Sequence, residues 1–132
     1  HLKNIKKYDV IIPHTLTNEK NNNNYVKIIS NQVNDILYLT RADAPHPFRS
    51  KKKPFKRHQD FVTFRPDFIK KFKDLKNRNL EEYEGIELLR VIENGYKIGT
   101  LQFKNDSFSI NTKKDILKSL LLIQKDRLRK YY

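Results

Sequence analysis

Residues 79–96, NLEEYEGIELLRVIENGY, are the stretch from which the rest of the chain can be interpreted. Asn79 is a favourable N-cap residue, and Glu82 stands three positions later, where a capping-box carboxylate reaches back to the cap. Gly95 suits the left-handed position that commonly follows a helix. The apolar side chains between these ends are spread around most of a helical circumference. The pattern therefore predicts one helix of about four turns, buried on more than one side.

Two carboxylates, Glu84 and Glu87, fall on the apolar arc of this predicted helix. Carboxylates are rarely buried without a partner, because an unpaired charge loses its hydration. One interpretation is that Glu87 pairs with Arg90 three positions later, while Glu84 reaches solvent. The alternative is that the helix carries a carboxylate toward a ligand.

Short apolar and β-branched runs on both sides of this segment predict strands. Residues 25–29 and 36–40 are close enough in sequence to form a hairpin or an adjacent pair. The first predicted strand, residues 8–12, ends at Pro13. The remaining predicted strands lie at 61–64, 97–103 and 107–110.

Two further helices are expected. Pro66 fits the first position of a helix that continues through Phe72 and whose apolar face includes Ile69. Thr112 and Asp115 have the spacing of a capping box at the start of a last helix. We expect the central and last helices to pack against the sheet. The predicted apolar stripe of the last helix comprises Ile116, Leu117, Leu120, Leu121, Ile123 and Leu128.

The segment from Arg41 to His58 is predicted to be a loop, because its three prolines disfavour a regular helix or a central strand. It is rich in arginine and lysine. A solvated basic loop is one interpretation. The other is a clamp for a carboxylate or a phosphate, since guanidinium groups match the geometry of those anions.

Composition limits the possible functions. The 132 residues carry a net charge of +13 and no cysteine, which excludes disulfides, zinc–thiolate sites and cysteine nucleophiles and fits a cytoplasmic protein. No apolar run reaches the length of a membrane span. The charge favours anionic partners, although an AT-rich genome would produce the same abundance of lysine and asparagine.

The sequence lacks several motifs of catalytic sites. Its glycines, Gly85, Gly95 and Gly99, do not form a phosphate-binding loop, and no histidine–glutamate cluster has the spacing of metal ligands. No nucleophile elbow is present. His14 and His46 are isolated, and we expect both at the surface.

Five segments together resemble the 3-deoxy-manno-octulosonate (Kdo) cytidylyltransferases, also called CMP-Kdo synthetases. The central segment is similar to their late helix, P-L-E-x-x-E-x-L-E-Q-L-R-x-L-E-x-G-Y-x-I. The segments occur in the family's order, cover roughly residues 8–118 and correspond to the second half of such an enzyme. The other four are NYVKII at 24–29, ILYLTRADAP at 36–45, HQDFVTFRPDFI at 58–69 and SINTKKDI at 109–116.

The resemblance implies a fold and a reaction. The fold is α/β: the C-terminal half of a nucleotide-diphospho-sugar transferase-like three-layer α/β/α sandwich with a mixed sheet. Residues 1–7 are then a basic lead-in, 8–123 the sugar-binding and dimerisation half, and 124–132 a basic tail. Such enzymes transfer CMP from CTP to an acidic sugar and release pyrophosphate, with Mg²⁺ neutralising charge. We do not expect this half to catalyse the reaction alone.

The resemblance also implies roles for matching residues. Arg41 corresponds to the arginine that meets the sugar acid, His58 to a histidine that contacts the sugar, and Glu87 to the glutamate that binds sugar hydroxyls. Asn111 stands where the family has an aspartate that ligates Mg²⁺. Because an amide oxygen carries no charge, we expect weaker metal binding there.

Two other positions depart from the family pattern. Leu88 replaces a glutamine, which removes an amide that both donates and accepts hydrogen bonds. Val62 replaces a tyrosine and removes a phenol. These two changes indicate an altered sugar pocket, whereas the change at Asn111 indicates reduced or abolished catalysis.

Two hypotheses of different classes follow. In the first, the chain is the sugar-binding half of a cytidylyltransferase, with CTP and Kdo or a related acidic sugar as ligands. Its protein partner is then a second copy or a missing N-terminal half. In the second, the chain is a non-catalytic module whose charge serves RNA or an anionic assembly.

Overall fold

The computed structural model describes residues 7–49, 54–76, 79–104, 110, 113–126 and 129–131. Within these ranges no helix combines the length and apolarity that crossing a membrane requires. The elements in chain order are β1 Val10–Thr17, β2 Lys27–Ser30, β3 Ile36–Thr40, β4 Phe55–His58, β5 Thr63–Phe64, α1 Pro66–Asp74, α2 Asn79–Glu84, α3 Leu89–Glu93, β6 Ile98–Gln102, α4 Lys113–Gln124 and a 3₁₀ turn at Arg129–Tyr131.

The six strands form one mixed sheet around β1. Along one edge, β1 pairs antiparallel with β5 and then with β4. Along the other edge it pairs in parallel with β6. Strand β2 lies between β4 and β3, so the order is β3-β2-β4-β1-β5, with β6 beside β1. The predicted α/β class with a mixed sheet is confirmed.

Strand β1 is longer than predicted and continues through Pro13. The proline lies between the part of β1 that pairs with β5 and the part that pairs with β4. Its carbonyl accepts the Gln59 N–H at 3.0 Å. Proline has no N–H to donate, and at this junction between two partner strands the sheet does not need one. The prediction that the strand ends at Pro13 is therefore wrong.

The extension of β1 places His14 inside the protein, where it is only 2% exposed. Its Nδ1 lies 2.6 Å from the Thr100 hydroxyl oxygen. Burial, with a smaller contribution from Lys56, lowers the pKa of His14 to about 4. The predicted surface position of His14 is wrong, whereas His46 is exposed as predicted.

Several predicted elements are confirmed. Strands β2 and β3 form the hairpin, and Asn34 in its turn adopts a φ of 66°. Pro66 occupies the start of α1. Phe68 of α1 is buried and its ring centroid lies 4.8 Å from that of Tyr96. Ile69 is exposed, contrary to the prediction. It follows the buried Phe68, and successive side chains of a helix point about 100° apart.

The predicted loop at 41–58 ends in a strand. Residues 55–58 form β4, which lies between β1 and β2, and Pro54 precedes the strand without interrupting it. Its basic residues have partners: Lys56 Nζ donates to the Ser30 hydroxyl at 2.7 Å, and the Arg57 guanidinium stacks 3.7 Å from the Tyr25 ring centroid. Residues 50–53, which include three of the lysines, lie outside the described residues.

The predicted central helix is two helices, α2 and α3, separated at Gly85. This residue has a φ of +61°, and its N–H donates to the Glu81 carbonyl at 2.8 Å. The left-handed conformation ends α2, because a right-handed helix cannot continue through it. Gly95 has a φ of +81° after α3, as predicted. The break places the exposed Glu87 between two buried residues of the turn.

The hydrophobic core brings together the sheet, α1 and the two central helices. Phe68 and Leu89 are fully buried in it, and Val62 is half-buried against it. The packing of the central segment on the sheet is therefore as predicted. The buried members are Val10, Ile12, Ile28, Ile36, Leu39, Phe68, Ile86, Leu88, Leu89, Val91 and Ile98.

The last helix, α4, does not pack against the sheet as predicted. Leu117 is 67% exposed and Leu121 is 61% exposed, and Ser119 is the buried residue of this helix. The apolar side chains occupy more than one side of α4 and are 46–67% exposed within the described part of the chain. Residues 107–109, Thr112 and Leu128 lie outside the described residues, as do the strand and helix-start predictions that depend on them.

Candidate ligand-binding site

A cavity of about 110 Å³ opens where β4 ends, β3 ends and the chain turns at Gly85. Arg41, His58 and Glu87, the three residues that the sequence predicted to bind an acidic sugar, all line it. They come from three separate segments of the chain, so the fold brings them together. The rest of the lining is Val26, Leu39, Gly85, Ile86 and Leu88.

His58 is the last residue of β4 and is half-buried. Its Nε2 atom is buried and has no hydrogen-bond partner among the described residues. Burial lowers the pKa of His58, opposed by the carboxylates of Asp60 and Glu87 and supported by Arg57. A neutral imidazole with an unsatisfied nitrogen is suited to a hydrogen bond with a ligand hydroxyl.

Arg41 follows β3, and its guanidinium group is held by backbone carbonyls. Nε donates to the carbonyl of Glu84 at 2.8 Å, Nη1 to that of Asn23 at 2.9 Å and Nη2 to that of Gly85 at 3.2 Å. A guanidinium group has five N–H groups, so two are left for a ligand. The carbonyls are neutral and leave the positive charge of Arg41 for an anion.

Glu84 is half-buried and bonded within the protein, whereas one sequence interpretation had it merely reaching solvent. Its carboxylate accepts the Thr40 hydroxyl at 2.6 Å and the Arg41 backbone N–H at 2.8 Å. The proposed pairing of Glu87 with Arg90 is also wrong, because Arg90 forms a two-point ion pair with Glu81. Glu87 is therefore free of that pair and lies at the cavity.

Lys27 does not line the cavity but bonds the backbone of Arg41, and sequence reasoning missed this supporting role. Its side chain is 0% exposed, and Nζ donates to the carbonyls of Asn22 and Arg41 at 2.7 Å each. Nζ also lies 3.4 Å from Asp43 Oδ1. The sequence signal was a lysine within the apolar run Tyr25–Ile29, since such a lysine needs acceptors inside the protein.

The cavity combines three polar groups with an aliphatic wall. A guanidinium suits a carboxylate, and an imidazole and a carboxylate suit hydroxyl groups. Leu88, which replaces the family's glutamine, belongs to the aliphatic wall, whereas Val62 packs against the core. This arrangement can bind a small hydroxylated acid and orient it.

The described residues do not supply a metal site. Among them, no three His, Cys, Asp or Glu side chains lie close enough to hold an ion together. Asn111, the predicted metal position, lies outside the described residues. The expected Mg²⁺ therefore stays a prediction.

Comparisons with known proteins agree with the sequence resemblance. A family profile described as cytidylyltransferase matches residues 2–98. A 3-deoxy-manno-octulosonate cytidylyltransferase of Acaryochloris marina is 34% identical over 101 residues, which are 76% of this chain and 41% of the relative. That of Rickettsia prowazekii is 30% identical over 127 residues, which are 95% of this chain and 50% of the relative.

A solved structure shares the fold. It is that of a CMP:2-keto-3-deoxy-manno-octonic acid synthetase complexed with CTP, with a TM-score of 0.86 and 22% identity. The match covers 94% of this chain and 54% of that one, which confirms the predicted type of α/β fold. The chain spans about half the length of the curated relatives it matches.

Proposed function

The chain belongs to the cytidylyltransferase family, and from this premise we propose that it supplies the acidic-sugar pocket of an enzyme that forms a CMP-sugar from CTP. The sugar is Kdo or a related acidic sugar. In the reaction, the anomeric hydroxyl of the sugar attacks the α-phosphorus of CTP, and pyrophosphate leaves. The contribution of this chain is to bind and orient the sugar.

The convergence of Arg41, His58 and Glu87 on one cavity is the observation that supports this proposal. The two remaining N–H groups of Arg41 bind the sugar carboxylate. Glu87 and the unpaired Nε2 of His58 bind hydroxyl groups. The guanidinium of Arg41 favours an acid over a neutral sugar, because its two remaining N–H groups match the two oxygens of a carboxylate.

A binding experiment tests the proposal directly. The 132-residue chain is titrated calorimetrically with Kdo and, separately, with glucose as a neutral sugar. We expect Kdo to bind and glucose not to bind. Glu87→Gln is expected to weaken Kdo binding by about 1.5–3 kcal/mol, the usual scale for a hydrogen bond to a charged group.

Glu82→Gln is the matched control, because Glu82 is an exposed glutamate of α2 that does not line the cavity. Its affinity for Kdo should equal that of the unmodified chain. Equal binding of glucose and Kdo, or equal affinities of the Glu82 and Glu87 variants, would contradict the proposal.

Catalysis requires more than the described pocket. The curated relatives are about twice as long as this chain, so we propose that activity depends on residues corresponding to their other half. This chain is proposed to contribute to Mg²⁺ binding through the position of Asn111. Asn111→Asp should then strengthen Mg²⁺ binding, because a carboxylate adds a formal charge. An unchanged Mg²⁺ titration in this variant would remove residue 111 from the metal site.

A further inference from the structure

Glu84 and Arg41 are joined in both directions. The side chain of Glu84 accepts the backbone N–H of Arg41 at 2.8 Å, and the side chain of Arg41 donates to the backbone carbonyl of Glu84 at 2.8 Å. Each residue therefore restrains the other's backbone and side chain together. The end of β3 is attached to the end of α2 by this arrangement.

Neighbouring groups complete the attachment. Thr40 donates its hydroxyl to Glu84 at 2.6 Å, and the Tyr38 hydroxyl lies 3.5 Å from the same oxygen. On the opposite side, the buried Lys27 donates to the Arg41 carbonyl at 2.7 Å. The backbone N–H, the backbone carbonyl and the guanidinium of Arg41 are thus all bonded within the protein.

Glu84 immediately precedes the turn that carries Glu87. Arg41 also donates to the carbonyl of Gly85 at 3.2 Å, so the first residue of the turn is held as well. With the turn fixed at this end, Glu87 lies at the cavity that Arg41 and His58 line. Glu84 is not among the residues that line the cavity.

We propose that Glu84 is a positioning residue for the acidic-sugar pocket. Its carboxylate fixes the Gly85 turn to the end of β3 and so assembles the pocket. The proposal rests on the proposed function, because the ligand is the acidic sugar assigned there. Through its bonds to the end of β3, Glu84 acts by placing Glu87, and it does not itself touch the sugar.

Three single variants of the full chain test this role. Glu84→Ala removes both acceptor oxygens, and we expect it to weaken Kdo binding about tenfold or more, as for the loss of a hydrogen bond to a charged group. Glu84→Gln keeps one acceptor oxygen and should recover part of the affinity. Glu82→Ala, an exposed glutamate of the same helix, should leave the affinity unchanged.

A double-mutant cycle separates positioning from general stabilisation. If Glu84 acts through Glu87, the effect of Glu84→Ala on Kdo affinity should shrink when Glu87→Ala is already present. Melting curves confirm that each variant is folded at the titration temperature. An undiminished Glu84 effect in the Glu87→Ala background would overturn the proposal. So would unchanged affinity in folded Glu84→Ala.

A readout without ligand distinguishes this proposal from the proposed function. Asp60, Glu87 and Arg57 are the charged groups that influence the His58 pKa, and Glu87 raises it. An NMR titration of the His58 ring should therefore give a lower pKa in Glu84→Ala, because Glu87 is no longer held nearby. The Glu87→Ala background should abolish this difference.

The two readouts have separate meanings. If Kdo does not bind but the pKa of His58 still falls in Glu84→Ala, only the proposed function fails. If the pKa of His58 does not change, the positioning role fails.

Discussion

Arg90 of α3 holds Glu81 of α2 across the break at Gly85. The guanidinium Nε donates to Glu81 Oε2 at 2.6 Å, and Nη2 bonds the second carboxylate oxygen. Both side chains are largely buried, and the guanidinium also lies 5.3 Å from the Phe72 ring centroid. A two-point ion pair fixes direction as well as distance, so it stabilises the contact between the two helices.

Arg90→Gln is therefore expected to lower stability and to leave ligand binding nearly intact. Loss of the charged hydrogen bonds should reduce the free energy of unfolding by about 1.5–3 kcal/mol. Urea denaturation measures this change. Glu81→Gln should cost a similar amount, and the double variant should cost less than the sum because both substitutions remove one interaction. Additive effects would show that the pair is not coupled.

Substitution of Gly85 should affect both stability and binding. Its φ of +61° is strained for residues with a side chain, although an added Cβ would meet no atom within 4 Å. Gly85→Ala should therefore cost about 1–2 kcal/mol of stability through backbone strain alone. Because the turn carries Glu87, Kdo affinity should fall as well.

Gly95 provides a matched control for that substitution. It has a φ of +81°, has equally open space around it and does not line the cavity. Gly95→Ala should cost a similar free energy of unfolding without changing Kdo affinity. If both alanine variants bind Kdo like the unmodified chain, the conformation of Gly85 does not matter to the pocket.

The sequence predicted the hairpin at 25–40 correctly, because its pairing is determined by neighbouring residues. It predicted strand β4 as a loop, because the pairing of β4 with β1 and β2 joins distant parts of the chain. The break at Gly85 was missed because glycine is compatible with a helix interior at a cost of about 1 kcal/mol. The tertiary bonds that outweigh that cost, from Arg41 to the carbonyls of Glu84 and Gly85, join residues more than forty positions apart.

Site prediction depended on the family resemblance. Arg41, His58 and Glu87 were named from matching motifs, and the structure places them at one cavity. Spacing alone predicted that Glu84 reaches solvent and that Glu87 pairs with Arg90. Both errors followed from assuming one continuous helix, because a broken helix changes which residues are three apart on a face.

The exposed apolar surface of α4 predicts self-association of the isolated chain. Large exposed apolar patches promote association because burial of their surface is favourable. Sedimentation equilibrium should show oligomers at micromolar concentration. The double variant Leu117→Lys/Leu121→Lys should be more monomeric. Ile69→Lys is the control, since Ile69 is an exposed apolar residue of a different helix. A monomeric unmodified chain would contradict this prediction.

Stability should decrease between about pH 6.5 and pH 4 because His14 is buried in its neutral form. The folded-state pKa of His14 is about 4, below the ordinary value of 6.5 that applies when the chain is unfolded. Within this window the unfolded chain binds a proton that the folded chain does not, so acidification favours unfolding. The expected loss from this residue is about 3 kcal/mol, and it is complete below the folded-state pKa.

His14→Gln isolates this contribution, because glutamine does not titrate and can still bond the Thr100 hydroxyl. Urea denaturation at pH 6.5 and pH 4.5 gives the change in unfolding free energy for each protein. The change should be smaller in His14→Gln than in the unmodified chain, while the exposed His46→Gln should retain the full change. The low pKa of Asp35, about 2, places its own loss of stability below this window. Parallel pH profiles for all three proteins would mean that His14 is not buried as a neutral group.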